Sequence, residues 1–131
     1  MTQEDKDLLL KDLCTRLPYG VKCEIIRWSP DGEMVFFRRN TSALKLTMDN
    51  FNHIMSDDCY EVKPYLFPMS SMTDKQTQEL ESLMEIITIP VWGEILSPTP
   101  EYYDWLNKNH FDYRGLIEKG LAIDATDLNI Y

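Results

Sequence analysis

Histidine is the usual general acid or base near neutral pH, and this chain has two, His53 and His110. His53 lies shortly before Cys59, with Asp57 and Asp58 between them. A cysteine–histidine nucleophilic pair oriented by one aspartate is chemically possible in that set. The spacing specifies no such geometry, and a histidine at the end of a short helix is the expected state. His110 stands in Asn107-Lys108-Asn109-His110-Phe111-Asp112, a junction between two helices, where imidazole suits a helix C-terminus. Cys14, Cys23 and Cys59 are odd in number and widely spaced, which is no disulfide framework. A metal site needs three or four converging ligands, and no such spacing occurs, so neither metal nor cofactor is expected. The 22 acidic residues offer so many carboxylate pairs that none is singled out. The phosphate-binding loop, dinucleotide glycine pattern, EF-hand loop, zinc-protease helix and serine elbow are all missing from the sequence. No catalytic residue is expected.

Two groups of side chains suit contacts rather than catalysis. Arg27, Arg38 and Arg39 stand near Trp28, Phe36 and Phe37, the mixture of charge and stacking surface that single-strand binders use. Strand alternation sends Arg38 and Arg39 to opposite faces, and residues 21–63 hold six basic against seven acidic side chains. The second group is Tyr102, Tyr103, Trp105, Phe111 and Tyr113, five aromatics within 12 positions. Tyr102, Trp105 and Leu106 share a helical face and suit a core. Tyr103 turns about 100° from Tyr102 toward the rim. Tyr113 and Arg114 follow in a region of their own. Large rings and arginine recur at interface hot spots, so Tyr103, Tyr113 and Arg114 are the candidate protein-contact residues.

The elements that must position these groups follow from local pattern. Leu9, Leu10, Leu13 and Leu17 recur at helical spacing after Thr2-x-x-Asp5, which resembles a capping box, and Pro18 ends the helix. Val21–Trp28 and Glu33–Arg39 read as strands joined at Ser29-Pro30-Asp31-Gly32. Asn40-Thr41-Ser42 reads as a turn, Ala43–Met48 as a third strand and Asp49–Met55 as a short helix. Pro64 interrupts Tyr60–Phe67 and marks an edge strand or an irregular segment. Thr73 with Gln76 forms a capping box for a helix whose stripe is Leu80, Leu83, Met84 and Ile87. Thr88–Pro100, with three prolines and a glycine, reads as a connector. Thr99 and Pro100 open another helix, Asp112 caps a last short one through Lys119, and Gly120 closes it.

The 131 residues form a single domain in this reading, 44% apolar and 27% charged. Short turns between strands favour an antiparallel sheet, and the helices cover one face of it: an α+β domain with a helical C-terminal region. The net charge of −9 disfavours binding through phosphate neutralisation. It fits better an acidic decoy of a DNA-binding protein. No segment approaches the ~20 apolar residues of a membrane span, and the acidic N-terminus is unlike a signal peptide.

Three blocks occur together: Leu17-Pro18-Tyr19-Gly20-Val21; Val62-Lys63-Pro64-Tyr65-Leu66 with Pro68-Met69-Ser70-Ser71-Met72-Thr73; and Asp104-Trp105-Leu106-Asn107 with His110-Phe111-Asp112-Tyr113-Arg114-Gly115-Leu116-Ile117. In these the chain resembles a group of small proteins encoded by gut Bacteroidales and by their phages or prophages. The resemblance implies a cytoplasmic accessory protein with a binding or regulatory role, and it brings no catalytic residue or cofactor. The expected partner is another protein or a second copy of the chain; a nucleic-acid-related regulator and an enzyme of unrecognised type are the alternatives.

Overall fold

The computed structural model describes residues 2–28, 31, 34–42 and 60–131. Helix α1 (Gln3–Arg16) starts at Thr2, whose side chain accepts from the Asp5 amide, and a 3-10 turn over Leu17–Tyr19 carries the chain past Pro18. Strands β1 (Lys22–Trp28) and β2 (Met34–Ser42) pair antiparallel on either side of the expected turn. Ser29, Pro30 and Gly32 of that turn lie outside the described residues. So do the expected strand at Ala43–Met48 and the expected helix at Asp49–Met55. Asn40, Thr41 and Ser42 belong to β2 rather than to a turn: Thr41 and Ser42 pair with Cys23 and Lys22. A register shift between Cys23 and Ile25 absorbs the extra length.

Strand β3 (Tyr60–Pro68) is not an edge. It lies between β1, antiparallel, and β6 (Phe111–Asp112), parallel, while β7 (Ile123–Asp124) also pairs with it in parallel. Pro64 is tolerated because the ladder to β1 ends at Cys23–Pro64 and the pairing to β7 begins at Tyr65. The missing N–H falls at the handover between ladders. Where the β1 ladder stops, the Tyr131 hydroxyl replaces it, accepting from the Lys22 amide at 2.9 Å and donating to the Tyr65 carbonyl at 2.7 Å.

After a 3-10 turn at Met69–Ser71, Thr73 opens α2 (Asp74–Glu81) with a complete capping box. The Thr73 hydroxyl accepts from the Gln76 amide, and the Gln76 side chain accepts from the Thr73 amide. The helix stops at Glu81, so that of the expected stripe it carries Leu80 alone. Met84–Ile89 is strand β4 and Gly93–Pro98 is strand β5, an antiparallel hairpin where a connector was expected. The β-branched run Ile86-Ile87-Thr88-Ile89 outweighs the helical spacing of Leu83, Met84 and Ile87. Gly93, at φ +85°, supplies the left-handed residue that reverses the chain.

Helix α3 (Pro100–Lys108) begins at Thr99 with Pro100 at its first position. Beyond β6 the expected last helix is a closed turn. The Asp112 carboxylate accepts from the amides of Leu116 and Ile117. Gly120 and Leu121 donate back to Ile117 and Leu116, the pairing that ends helices. Both caps exist, with a single turn between them.

The main core joins α1 to β1 and β3 through Leu9, Leu13, Val21, Cys23, Ile25, Val62 and Leu66, closed by Leu116, Leu121 and Ala122. Each fully buried leucine there contributes roughly 1.5–3 kcal/mol. A second cluster packs Leu80 of α2, Leu106 of α3 and Phe111 of β6, with Trp105 stacked on Phe111 at 5.6 Å. The α+β class is what the sequence led one to expect. No helix among the described residues is long and apolar enough to cross a membrane.

Candidate functional site

Of the histidines and cysteines first singled out for chemistry, the structure describes His110, Cys14 and Cys23. His53, Asp57, Asp58 and Cys59 lie outside the described residues. His110 is described, at φ +62°, half-buried, with its ring stacked on Tyr131 at 3.7 Å. Burial and then the charges of Arg16 and Lys22 lower its pKa to about 4, so the imidazole is neutral near pH 7. It lines a cleft of about 460 Å³ with Phe67, Gln76, Thr126 and Tyr131, and no cysteine or carboxylate joins them. Cys14 is an exposed free thiol, and Cys23 a buried one whose pKa burial pushes up to about 12. No group of residues among those described could hold a metal ion.

Tyr103, Tyr113 and Arg114 do come together, beside a cleft of about 580 Å³ that Thr15, Asp104 and Asn107 also line. Two of the three are tied inward. Arg114 Nη1 donates to Asp12 Oδ1 at 3.0 Å and to the Tyr113 hydroxyl at 2.9 Å, and its guanidinium lies over the Tyr113 ring. The Tyr113 hydroxyl donates to Asn107 Oδ1 at 3.0 Å. Asp12 is fully buried, and its other oxygen accepts from Arg16 Nε at 2.8 Å. Arg16, also fully buried, continues to the Phe111 carbonyl at 2.6 Å. One carboxylate therefore holds two guanidiniums, joining α1 to the segment after α3. Removing one partner of such a set leaves a buried charge unmatched, which makes it a fastening. Tyr103 alone of the three is exposed, at 43%, with its ring against Tyr102 and Tyr113.

Arg27 lies in β1 and Arg38 and Arg39 in β2. In the backbone register Arg27 stands opposite Phe36 and Arg38 opposite Ile25. Their side chains lie outside what is described.

Among the described residues the most exposed large apolar side chains lie elsewhere, on the β4–β5 hairpin. Val91 and Trp92 at its tip are 86% and 81% exposed, and Ile86 and Leu96 are 66% and 65% exposed. Ile86 stands opposite Leu96 and Ile87 opposite Ile95. Directly opposed residues share a face, and neighbours along a strand take opposite faces. Apolar pairs therefore occupy both faces of the hairpin. A hairpin with one buried face alternates apolar and polar residues; this one buries neither. Six of the nine exposed large apolar side chains among the described residues, Ile86, Ile87, Val91, Trp92, Ile95 and Leu96, belong to this one element, a concentration unlike singly scattered surface residues. The signal was present in the sequence as Val91-Trp92-Gly93 between two β-branched or apolar runs.

Comparison of the chain with protein-family models, curated proteins and solved structures returns no match.

Proposed function

We propose that this chain is a non-enzymatic accessory domain that acts through protein contacts, and that the β4–β5 hairpin makes them. The observation that carries the reading is apolar exposure on both faces of the hairpin, with Trp92 at its tip. A free two-stranded hairpin is marginal in water, so contact with another surface would stabilise it. Trp92 is the large rigid side chain that anchors interfaces. The resemblance of the short blocks to the Bacteroidales and phage group would imply a cytoplasmic accessory role.

Tyr103 is the part of the aromatic group that remains available as a second contact. The reading is tested by placing a photoreactive benzoylphenylalanine at position 92 and irradiating cells that make the protein. The expected result is a covalent adduct containing a protein chain, weakened by Leu96→Ser. Irradiation that yields only the uncrosslinked monomer would overturn the reading.

A further inference from the structure

We propose that the cleft bordered by His110 binds a small organic anion, an acidic group carried on a flat ring, with Lys108 meeting the charge. The cleft opens where the end of β3, the start of α2 and the end of α3 meet, and Phe67, Gln76, Lys108 and Tyr131 face it with His110. Its volume of about 460 Å³ falls within the roughly 300–1,000 Å³ of small-molecule sites and exceeds what a bare inorganic ion fills.

Charge selects the sign of the ligand. In a chain of net −9 no carboxylate lines this cleft, whereas Asp104 lines the cleft beside Arg114. Lys108 is exposed and forms no ion pair among the described residues. Behind the wall, Arg16 and Arg114 share the one carboxylate of Asp12, so two cations stand against a single anion. Arg16 Nη2 donates to the carbonyl of Phe111, the residue after His110, which brings the excess charge to the back of the cleft. Its Nη1 is buried and makes no hydrogen bond among the described residues. Lys22 adds another cation, its ammonium 5.9 Å from the centre of the Tyr131 ring and held by the Ile130 carbonyl. Asp112 and Asp124, which adjoin the wall, are both engaged: Asp112 accepts from the Leu116 and Ile117 amides, and Asp124 from the Thr126 amide. Cations behind a low-dielectric wall focus their field into the opening. The last carbonyls of α3, whose dipole opposes an anion, are taken up. That of Trp105 accepts from the Asn109 side chain and amide, and that of Asn107 from the His110 amide.

The walls select the body of the ligand. Phe67 packs against Phe111 at 6.0 Å and against Tyr131 at 5.8 Å, and Tyr131 stacks on His110 at 3.7 Å, a continuous run of rings. A flat ring packs on such a wall by its face or its edge. His110 holds a left-handed backbone at φ +62°, fixed by the Phe67 amide, which donates to its carbonyl at 2.8 Å. Conformations of that kind cluster at ligand clamps. The buried Nδ1 of His110 has no hydrogen-bond partner among the described residues. Near two cations such an atom keeps its lone pair, so the ring proton sits on Nε2, from which it can be donated to an anion.

NMR titration of the isotope-labelled full chain tests the proposal. The probes are benzenesulfonate, phenyl phosphate and benzoate, with sulfate as the half without a ring and benzyl alcohol as the half without charge. We expect saturable shifts of the Phe67, Asn109 and Phe111 amides with the ring-bearing anions, at a dissociation constant on the order of 1 mM. Val91 and Trp92 should not shift. Sulfate and benzyl alcohol should each bind about tenfold more weakly or worse. Lys108→Glu should weaken benzenesulfonate about tenfold, while Lys11→Glu, the same charge change on α1, should leave it unaltered. Thermal melting monitors the fold, and Lys108→Gln reads the same loss if the glutamate variant melts early. Preference for phenyl phosphate over benzoate would assign the acidic group as a phosphate, and the reverse as a carboxylate. Shifts that fail to saturate by ~10 mM, centre on the hairpin, arise equally with benzyl alcohol, or respond alike to the Lys108 and Lys11 variants overturn the proposal. Sulfate binding as tightly as benzenesulfonate overturns the part given to the ring.

Discussion

Asp12 and Arg114, 102 residues apart in sequence, meet through a 3.0 Å hydrogen bond inside the protein. The carboxylate is fully buried and the guanidinium partly exposed. Because Arg16 shares the same carboxylate, Asp12→Asn leaves two guanidiniums without their counter-charge. We expect a loss of ~3–5 kcal/mol in denaturant unfolding, the range found when one partner of a buried pair is removed. Arg114→Ala should cost less, about 1–2 kcal/mol, since water reaches that side chain. An Asp12→Asn loss no larger than that of the exposed Lys11→Ala would show that the carboxylate does not fasten the two segments.

Thr73 and Gln76 satisfy each other's backbone amides at the start of α2. Thr73→Ala should cost roughly 1 kcal/mol. Gln76→Ala should cost less, because it removes only the reciprocal bond. Chemical denaturation of both variants checks the ranking, and an unchanged midpoint for Thr73→Ala would refute it.

His110 links stability to pH. Its pKa falls from an ordinary 6.5 to about 4 on folding. Between these values the unfolded chain binds the proton and the folded chain does not. The histidine's contribution is therefore complete above pH 6.5 and is lost as pH falls toward 4. Because the ring is only half-buried, solvent screening limits the loss to about 2 kcal/mol. His110→Asn, which tolerates the positive φ, should flatten the dependence in that window. An unaltered slope from pH 6.5 to 4 would assign the effect to other groups.

The two described cysteines should separate in a thiol-labelling experiment. Exposed Cys14 should react in the native protein. Cys23, buried and held protonated with its pKa near 12, should react only on unfolding. Peptide mapping after a short exposure to iodoacetamide reads the difference directly, and equal labelling of both would contradict the packing of β1 against α1.

Exposed apolar residues on the hairpin should contribute little to the fold that carries them. Trp92→Ser should change unfolding free energy by no more than ~0.5 kcal/mol when measured on the monomer. Leu106→Ala, which opens a cavity between α2 and α3, should cost about 2–5 kcal/mol. Comparable losses for the two would place Trp92 in a core.

Local signals led correctly to α1, β1, the capping box at Thr73 and the Thr99-Pro100 helix start, because each depends on neighbours within a few residues. The hairpin was misread because Leu80, Leu83, Met84 and Ile87 satisfy helical spacing while Ile86–Ile89 satisfies strand chemistry. An element exposed on both faces lacks the alternation that decides between them. Pro64 suggested an edge, and only the handover from β1 to β7 explains how a proline sits between partners. Asp12 follows Lys11 in α1 and is nonetheless fully buried. Its burial depends on Arg114, a partner that no window around α1 contains. Likewise Tyr113 and Arg114 suggested a binding pair by type, and their bonds to Asn107 and Asp12 appear only once α1 and α3 are docked.

The Asp12–Arg16 pair also constrains the order in which the chain can assemble. Within α1 the two side chains hold each other, but one carboxylate oxygen and the far end of the guanidinium take their partners from Arg114 and Phe111. Until those residues arrive, pressing α1 onto β1 and β3 would trap polar groups in a dry interior. Burial of the helix is thereby coupled to closing a loop spanning most of the chain. Such closure is entropically slow, and its reward comes late. The core should accordingly form in one concerted step, with α1 remaining wet and protease-accessible in any fragment that ends before Phe111.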